Sequence, residues 1–405
     1  MIPLQSKPAP AKTKTIPYGR QDISQADIDA VLAVLQSDFL TQGPAIERFE
    51  KKVAAYCGAK YAVAVSNATA ALHIACLSLG LGDGVEGKKK RLWTSPNTFV
   101  ASANCGRYCG AIVDFVDIDP KTYNISLEAL EAKLKAAEKT GTLPDILIPV
   151  HFSGQSVDME KIGALAKQYG FKVIEDAAHA IGGKYQGKPV GNCAYSDITT
   201  FSFHPVKIIT TAEGGMALTN DEALYQRLLL LRSHGITRDP KMLEAEAPAP
   251  WHYEQLTLGF NYRMTDIQAA LGESQMDRLD AFVEKRHALV KRYNDSLAGL
   301  PMTLPWQLPE TYSAYHLYVI RLKLDAITLS HREVFDRLRA LGIGINLHYI
   351  PVHTQPDYQR LGFSWGDFPQ AERYYQEAIS LPLYSELSDV DQDRVIASLK
   401  EILGA

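Results

Sequence analysis

The stretch Ala62-Val63-Ala64-Val65-Ser66-Asn67-Ala68-Thr69-Ala70 sets four apolar residues before a polar turn that runs straight into a second apolar segment, 70–79. An apolar run this short predicts a strand buried on both faces, and the longer segment after it predicts a helix. The unit repeats at 91–94 and 99–108, with further apolar runs at 112–116, 146–150, 171–174, 198–201 and 215–218. Strand and helix in alternation imply an α/β chain whose mainly parallel sheet is covered by helices on both faces. In such sheets ligands sit beyond the carboxyl ends of the strands. Motifs that directly follow a strand are therefore the ones to read for chemistry.

Working outward, two helices precede the first strand. Ile23, Ile28, Val31, Leu32 and Leu35 recur at helical spacing, Leu40-Thr41-Gln42-Gly43-Pro44 breaks the pattern, and 46–57 resumes it. Residues 1–16, rich in Lys, Pro, Thr and Ala, offer too little apolar surface to offset the entropy of ordering them, and are expected to form a disordered tail. On the other side, 233–258 is too long for a plain connector and reads as a lid or a subunit-contact loop. A helical stretch, 266–297, then leads to strands near 315–322 and helices near 333–341 and 371–378. The expected division is a large domain over 17–265 and a smaller C-terminal α/β domain over 266–405.

The totals narrow the function. With 405 residues and a net charge of −4, the chain has no basic surplus for nucleic acid. No apolar run approaches the roughly 18 residues that cross a bilayer, and the start lacks a signal peptide's apolar block, so no membrane partner and a cytoplasmic address are expected. The cysteines, 57, 76, 105, 109 and 193, are odd in number and read as free thiols rather than a disulfide framework. Cys105 and Cys109 share a helix face, but two thiols alone do not close a tetrahedral metal shell, so no metal is expected. Gly82-Asp83-Gly84-Val85-Glu86-Gly87 matches a dinucleotide glycine pattern literally, and with Lys88 almost a phosphate loop. Both loops must follow a strand and open a helix, whereas this one follows a helix and runs into a strand. It reads as a surface turn, and a nicotinamide oxidoreductase loses its only motif.

Three strand ends carry chemistry. Ser66-Asn67-Ala68-Thr69-Ala70 opens a helix, so free amides and the positive helix end suit one phosphate, although the same residues also make good helix caps. Asp176, in Glu175-Asp176-Ala177-Ala178-His179, ends an apolar strand where a carboxylate needs a cationic or protonated partner. A protonated pyridine nitrogen is such a partner, and a structural salt bridge is the other reading. Lys207, in Phe201-Ser202-Phe203-His204-Pro205-Val206-Lys207, follows the next strand. There desolvation would depress its pKa and make it a nucleophile able to form a Schiff base. Phe99, in Pro96-Asn97-Thr98-Phe99, can stack on a flat ring. Each residue alone is weak; their order is what points to pyridoxal phosphate.

With these motifs the chain resembles the sugar aminotransferases of the fold-type I pyridoxal phosphate superfamily named after DegT, DnrJ, EryC and StrS. The likeness spans nearly everything after the tail. It is strongest for the pseudaminic acid branch, through Leu40-Thr41-Gln42-Gly43-Pro44, Ser202 to Lys207 and Thr210-Thr211-Ala212-Glu213-Gly214-Gly215. The resemblance implies a large domain with a mainly parallel seven-stranded mixed sheet. It also implies that Ala68, Thr69 and Ser202 hold the cofactor's phosphate, Phe99 stacks on its ring, and Asp176 pairs with its nitrogen. His179 would neighbour the phenolic oxygen, and Lys207 would be the catalytic amine bonded to the cofactor. Asn261, in Gly259-Phe260-Asn261-Tyr262-Arg263-Met264, would reach the phosphate of a second subunit, making a homodimer with shared active sites. Tyr18, His316 and Tyr349 are the expected sugar-nucleotide contacts. The implied reaction moves the amine of L-glutamate to the C4 ketone of a UDP-linked 2-acetamido-2,6-dideoxy-hexos-4-ulose. A branch that dehydrates sugars carries His in place of the lysine; here His204 stands beside an intact Lys207. A cofactor-binding regulatory protein on the same fold is the rival from another class.

Overall fold

The computed structural model describes residues 15–82, 89–245 and 249–404. Its centre is a seven-stranded sheet: β1 (Tyr61–Val65), β2 (Arg91–Thr94), β3 (Ile112–Phe115), β4 (Ile146–Ile148), β5 (Lys172–Asp176), β6 (Ile198–Ser202) and β7 (Gly215–Thr219). Neighbours run in the order β1-β7-β6-β5-β4-β2-β3. Only β7 opposes the others, since it pairs antiparallel with both β1 and β6 while the remaining pairs are parallel. Six carboxyl ends therefore point to one edge.

Period-two alternation sends each strand's side chains to opposite layers. Val63 and Val65 pack with α3 (Ala68–Ser78) and α4 (Ala101–Tyr108), whereas Ala62 and Ala64 pack with Phe49 and Val53 of α2 (Pro44–Cys57). The decoy turn 83–88 lies outside the described residues. Among the described residues no helix is long and apolar enough to cross a membrane.

Several expectations are revised. Ile16, assigned to a disordered tail, is buried and pairs with the 342–344 segment, accepting from Gly344 at 2.6 Å and donating to Gly342 at 2.9 Å; residues 1–14 lie outside the described part. The apolar stripe that marks α1 (Gln25–Leu35) faces outward, with Ile28, Leu32 and Leu35 exposed. The helix docks instead through buried Asp27, whose carboxylate takes hydrogen bonds from Ser274, Gln275 and Arg278. The two apolar cores meet inside one helix, Leu279–Leu297, rather than at 265/266. Leu279, Phe282 and Val283 join the large-domain core, while Leu289, Val290 and Tyr293 join the C-terminal one. The strand expected from 315 begins at Tyr318, in a three-stranded antiparallel sheet with Met302–Thr303 and Ala378–Leu381. Residues 314, 316 and 317 instead bond the backbone of Ser153 and Gly154, which carries His316 to the strand ends of the large sheet. The 233–258 insert pairs Ile236–Thr237 with Glu254–Gln255 and leaves Trp251 and Leu258 exposed.

Candidate active site

The helix α3 begins one turn beyond β1. Asn67 caps it by accepting from the Ala70 amide at 2.8 Å, and the first intrahelical bond runs from Ala71 to Asn67. The amides of Ala68 and Thr69 precede that bond, so they and the helix dipole are available to an anion. The strand β7 passes directly behind this turn. A Cβ on Gly215 would stand 2.5 Å from the Asn67 carbonyl carbon and 2.6 Å from the Ala68 nitrogen. Gly215→Ala should therefore push the first turn of α3 aside and weaken pyridoxal phosphate binding by roughly ten- to a hundred-fold. Equilibrium titration of the cofactor measures this; an unchanged Kd would show that the turn is not the phosphate cradle.

At the end of β5 the pleat separates two carboxylates. Glu175 turns into the core, where His151 meets it at 2.7 Å and Thr199 and Ser196 donate to it; burial alone would raise its pKa, yet these bonds hold it below the ordinary value. Its role is structural. Asp176 turns toward the cavity and is 6% exposed. It accepts from the Ser102 hydroxyl at 2.6 Å and from the Ala178 amide at 3.1 Å. Because Ser102 spends its proton on Asp176, the 2.7 Å contact between Thr98 and Ser102 must have Thr98 as donor.

The loop from β6 to β7 is pinned at its neck: Phe203 donates to Gly214 and Thr211 donates to Phe203, both at 2.9 Å. Ile208 and Ile209 anchor it in the core. Lys207 is thereby held over the cavity, its amide bonded to His204 at 2.8 Å. Burial pushes its amine down to about 8, with only the charge of Asp176 pulling the other way. Ser202 is buried at the end of β6 beside Gly215.

These groups line one cavity of about 860 Å³. Ala68, Thr69, Phe99, Asp176, His179, Ser202, Lys207, Tyr18, His316 and Tyr349 all reach it, Tyr18 because the 15–18 arm is tied to 342–344 and to Leu383. Phe99 is 57% exposed, which leaves a ring face free for stacking. Asn261 is exposed on a segment bridged to Ser233 and is not part of the lining. Among the described residues no cluster of His, Cys, Asp or Glu forms a metal site, and all five cysteines are free.

Sequence reasoning did not single out Ser102, Ser153 or His348 for this cavity. Ser102 and Ser153 serve through contacts to Asp176 and His179 across 74 and 26 residues. Only His348, in Asn346-Leu347-His348-Tyr349 directly before the expected contact Tyr349, was within reach of a sequence signal. It bonds Ser380 at 2.8 Å, and burial together with Lys207 holds it down to about 3.

An anion cradle, a buried carboxylate, an exposed aromatic face and a depressed lysine together match the phosphate, ring nitrogen, ring plane and aldehyde of pyridoxal 5'-phosphate. A volume near 860 Å³ leaves room for a substrate besides. Comparison with known proteins agrees. Residues 21–400 match the DegT/DnrJ/EryC1/StrS aminotransferase family. The spore coat polysaccharide biosynthesis protein SpsC of Bacillus subtilis is 38% identical over 391 residues, 96% of this chain and 97% of that one. The UDP-4-amino-4,6-dideoxy-N-acetyl-beta-L-altrosamine transaminase of Campylobacter jejuni is 37% identical over 391 residues, with the same coverage. Among solved structures, Helicobacter pylori PseC, an aminotransferase involved in the biosynthesis of pseudoaminic acid, superimposes with a TM-score of 0.87 at 30% identity, covering 96% of this chain and 100% of that one.

Proposed function

The chain belongs to the DegT/DnrJ/EryC1/StrS aminotransferase family, and from that premise we propose that it transfers the amine of L-glutamate to the C4 ketone of UDP-2-acetamido-2,6-dideoxy-β-L-arabino-hexos-4-ulose. It is a sugar aminotransferase, and its cofactor is pyridoxal 5'-phosphate. The observation that carries the transaminase reading is that a desolvated Lys207 and the buried Asp176 share one cavity large enough for a sugar as well as the cofactor. The likeness to the Campylobacter transaminase and to PseC supports the choice of sugar.

When bound, the cofactor supplies an aldehyde that takes up amines and an electron sink for the carbon that loses its proton. The protein's own groups do the rest. Lys207 would hold the aldehyde at rest and, when its amine is free, would move the proton at the reacting carbon. Asp176 would hold the ring nitrogen protonated, and the Thr98-Ser102 pair aims its carboxylate. The Ala68 and Thr69 amides and Ser202 would hold the phosphate, with Asn261 of a second copy completing the cradle in a cytoplasmic homodimer. Tyr18 and His316 would face the sugar-nucleotide.

A different nucleotide-linked keto-sugar is the second reading, because the likeness to SpsC is as great as that to the altrosamine transaminase. Incubation with glutamate and a panel of UDP- and dTDP-keto-sugars, with products identified by mass and NMR, tests both. Amination of the UDP-linked 4-keto sugar is the expected result. Transfer only to a 3-keto sugar overturns the C4 assignment, and a cofactor spectrum unmoved by glutamate would favour a non-enzymatic binder.

A further inference from the structure

Three of the five cysteines gather where α3 packs against α4, apart from the groups that would handle the cofactor. Cys76, on the last turn of α3, adjoins both Cys105 of α4 and Cys109 at that helix's C-terminal end. Cys109 also adjoins the imidazole of His73, one turn before Cys76. The three thiols are held differently. Cys105 is fully buried, and its thiol donates to the Ser102 carbonyl of its own helix at 3.3 Å. Cys76 is fully buried as well, and burial pushes its thiol up. Cys109 alone of the five is partly open, next to Tyr108, which is 56% exposed. A hydrogen bond with Cys76 lowers the Cys109 thiol, burial opposes this, and the His73 imidazole lowers it further, so that it stands below its ordinary value.

His73 is itself held in place. Its Nδ1 lies 3.1 Å from the Tyr262 hydroxyl, and its ring meets Phe260 at 4.8 Å and the edge of Tyr108 at 5.4 Å. Both His73 and Tyr108 line the cavity, which gives a small oxidant a way in. An open cysteine whose thiolate a histidine favours, touching a second thiol shielded from water, has the parts of a redox pair. Packing alone requires neither the imidazole nor the opening. Cys57 and Cys193 make the contrast: both are buried, and burial pushes Cys193 up to about 12.

We propose that Cys109 is a peroxide-reactive thiol activated by His73 and that Cys76 resolves it, which makes the contact between α3 and α4 a reversible disulfide site. The Cys109 thiolate attacks a peroxide oxygen; the O–O bond breaks, hydroxide leaves, and a sulfenic acid forms. The Cys76 sulfur then displaces the hydroxyl from that acid, and the Cys76 proton leaves with it as water. Two electrons pass from the two thiols to hydrogen peroxide, and a dithiol reductant returns them with two protons. The crosslink ties together the helices that begin at the Ala68-Thr69 turn and beside Ser102.

The test treats the holoenzyme with a small excess of hydrogen peroxide, blocks the remaining thiols under denaturing conditions and maps the unreduced peptides by mass. The expected product joins the peptides of Cys76 and Cys109, vanishes with dithiothreitol, and leaves Cys57 and Cys193 as thiols. In Cys76→Ala, dimedone should instead trap Cys109 as its sulfenic acid. Without peroxide, iodoacetamide should label native Cys109 about tenfold faster than the other four cysteines, and His73→Phe should slow that labelling severalfold, with thermal midpoints reporting folding. A wild-type protein left unlinked, a Cys76 to Cys105 link, or a Cys109 labelled no faster than Cys105 would each overturn the proposal.

Discussion

Lys207→Ala should lower transamination by about four orders of magnitude, because in the proposed mechanism Lys207 is both the amine that would bond the cofactor and the group that would move the proton at the reacting carbon. Positioned acid-base catalysis alone is worth roughly 10²- to 10⁴-fold, and loss of the nucleophile adds to it. No other lysine lines the cavity among the described residues, and the imidazoles of His179, His316 and His348 are engaged or buried neutral. His204 also lines the cavity, but an imidazole cannot take the place of the primary amine that would bond the cofactor. The depressed amine adds a pH signature: at pH 8 about half of it is neutral, so cofactor capture by the apo-protein should accelerate up to that pH and then level off. Stopped-flow reconstitution reads the rate, and borohydride reduction with peptide mass mapping reads the attachment site. Normal turnover by Lys207→Ala, or a label on another lysine, would refute the assignment.

The large sheet was legible in the sequence because its strands are covered on both faces, which leaves short apolar runs closed by turns. The same reasoning misread α1, where an apolar stripe normally marks the buried side. A buried carboxylate at Asp27, satisfied by three partners from distant residues, fixes that helix instead, and no periodicity reports a tertiary polar contact. Ile16 was lost for a related reason: a single residue paired to a strand-like segment more than 300 residues away has no local pattern. Parallel topology explains why most residues singled out in the sequence reach one cavity. Six carboxyl ends share an edge, so residues immediately after separate strands converge without any need to know the loops between them. Ala68, Asp176, Ser202 and Lys207 follow that rule. Ser102 and Ser153 do not, since each serves through one contact to a residue that does.

The other large effect is expected at Asp176. Asp176→Asn preserves shape, and its single carbonyl oxygen can still accept the Ala178 amide while its NH2 turns to Ser102, whose hydroxyl oxygen can accept, so the fold and the β5 end should survive. What it removes is the charge that would keep the pyridine nitrogen protonated. Breaking a buried ion pair at one partner costs about 3–5 kcal/mol, which corresponds to a fall in kcat/KM of roughly 10²- to 10⁴-fold. Ser102→Ala should be milder, about tenfold, because it takes one hydrogen bond from a carboxylate that remains charged. The pair separates an electronic role from a positional one. If charge matters, Asp176→Glu should recover part of the activity and Asp176→Asn should not, with isothermal titration showing the cofactor still bound in both. Equal losses in Asp176→Asn and Ser102→Ala would mean that Asp176 is only an orienting acceptor, as in a structural turn. The proton on the ring nitrogen would then have another source.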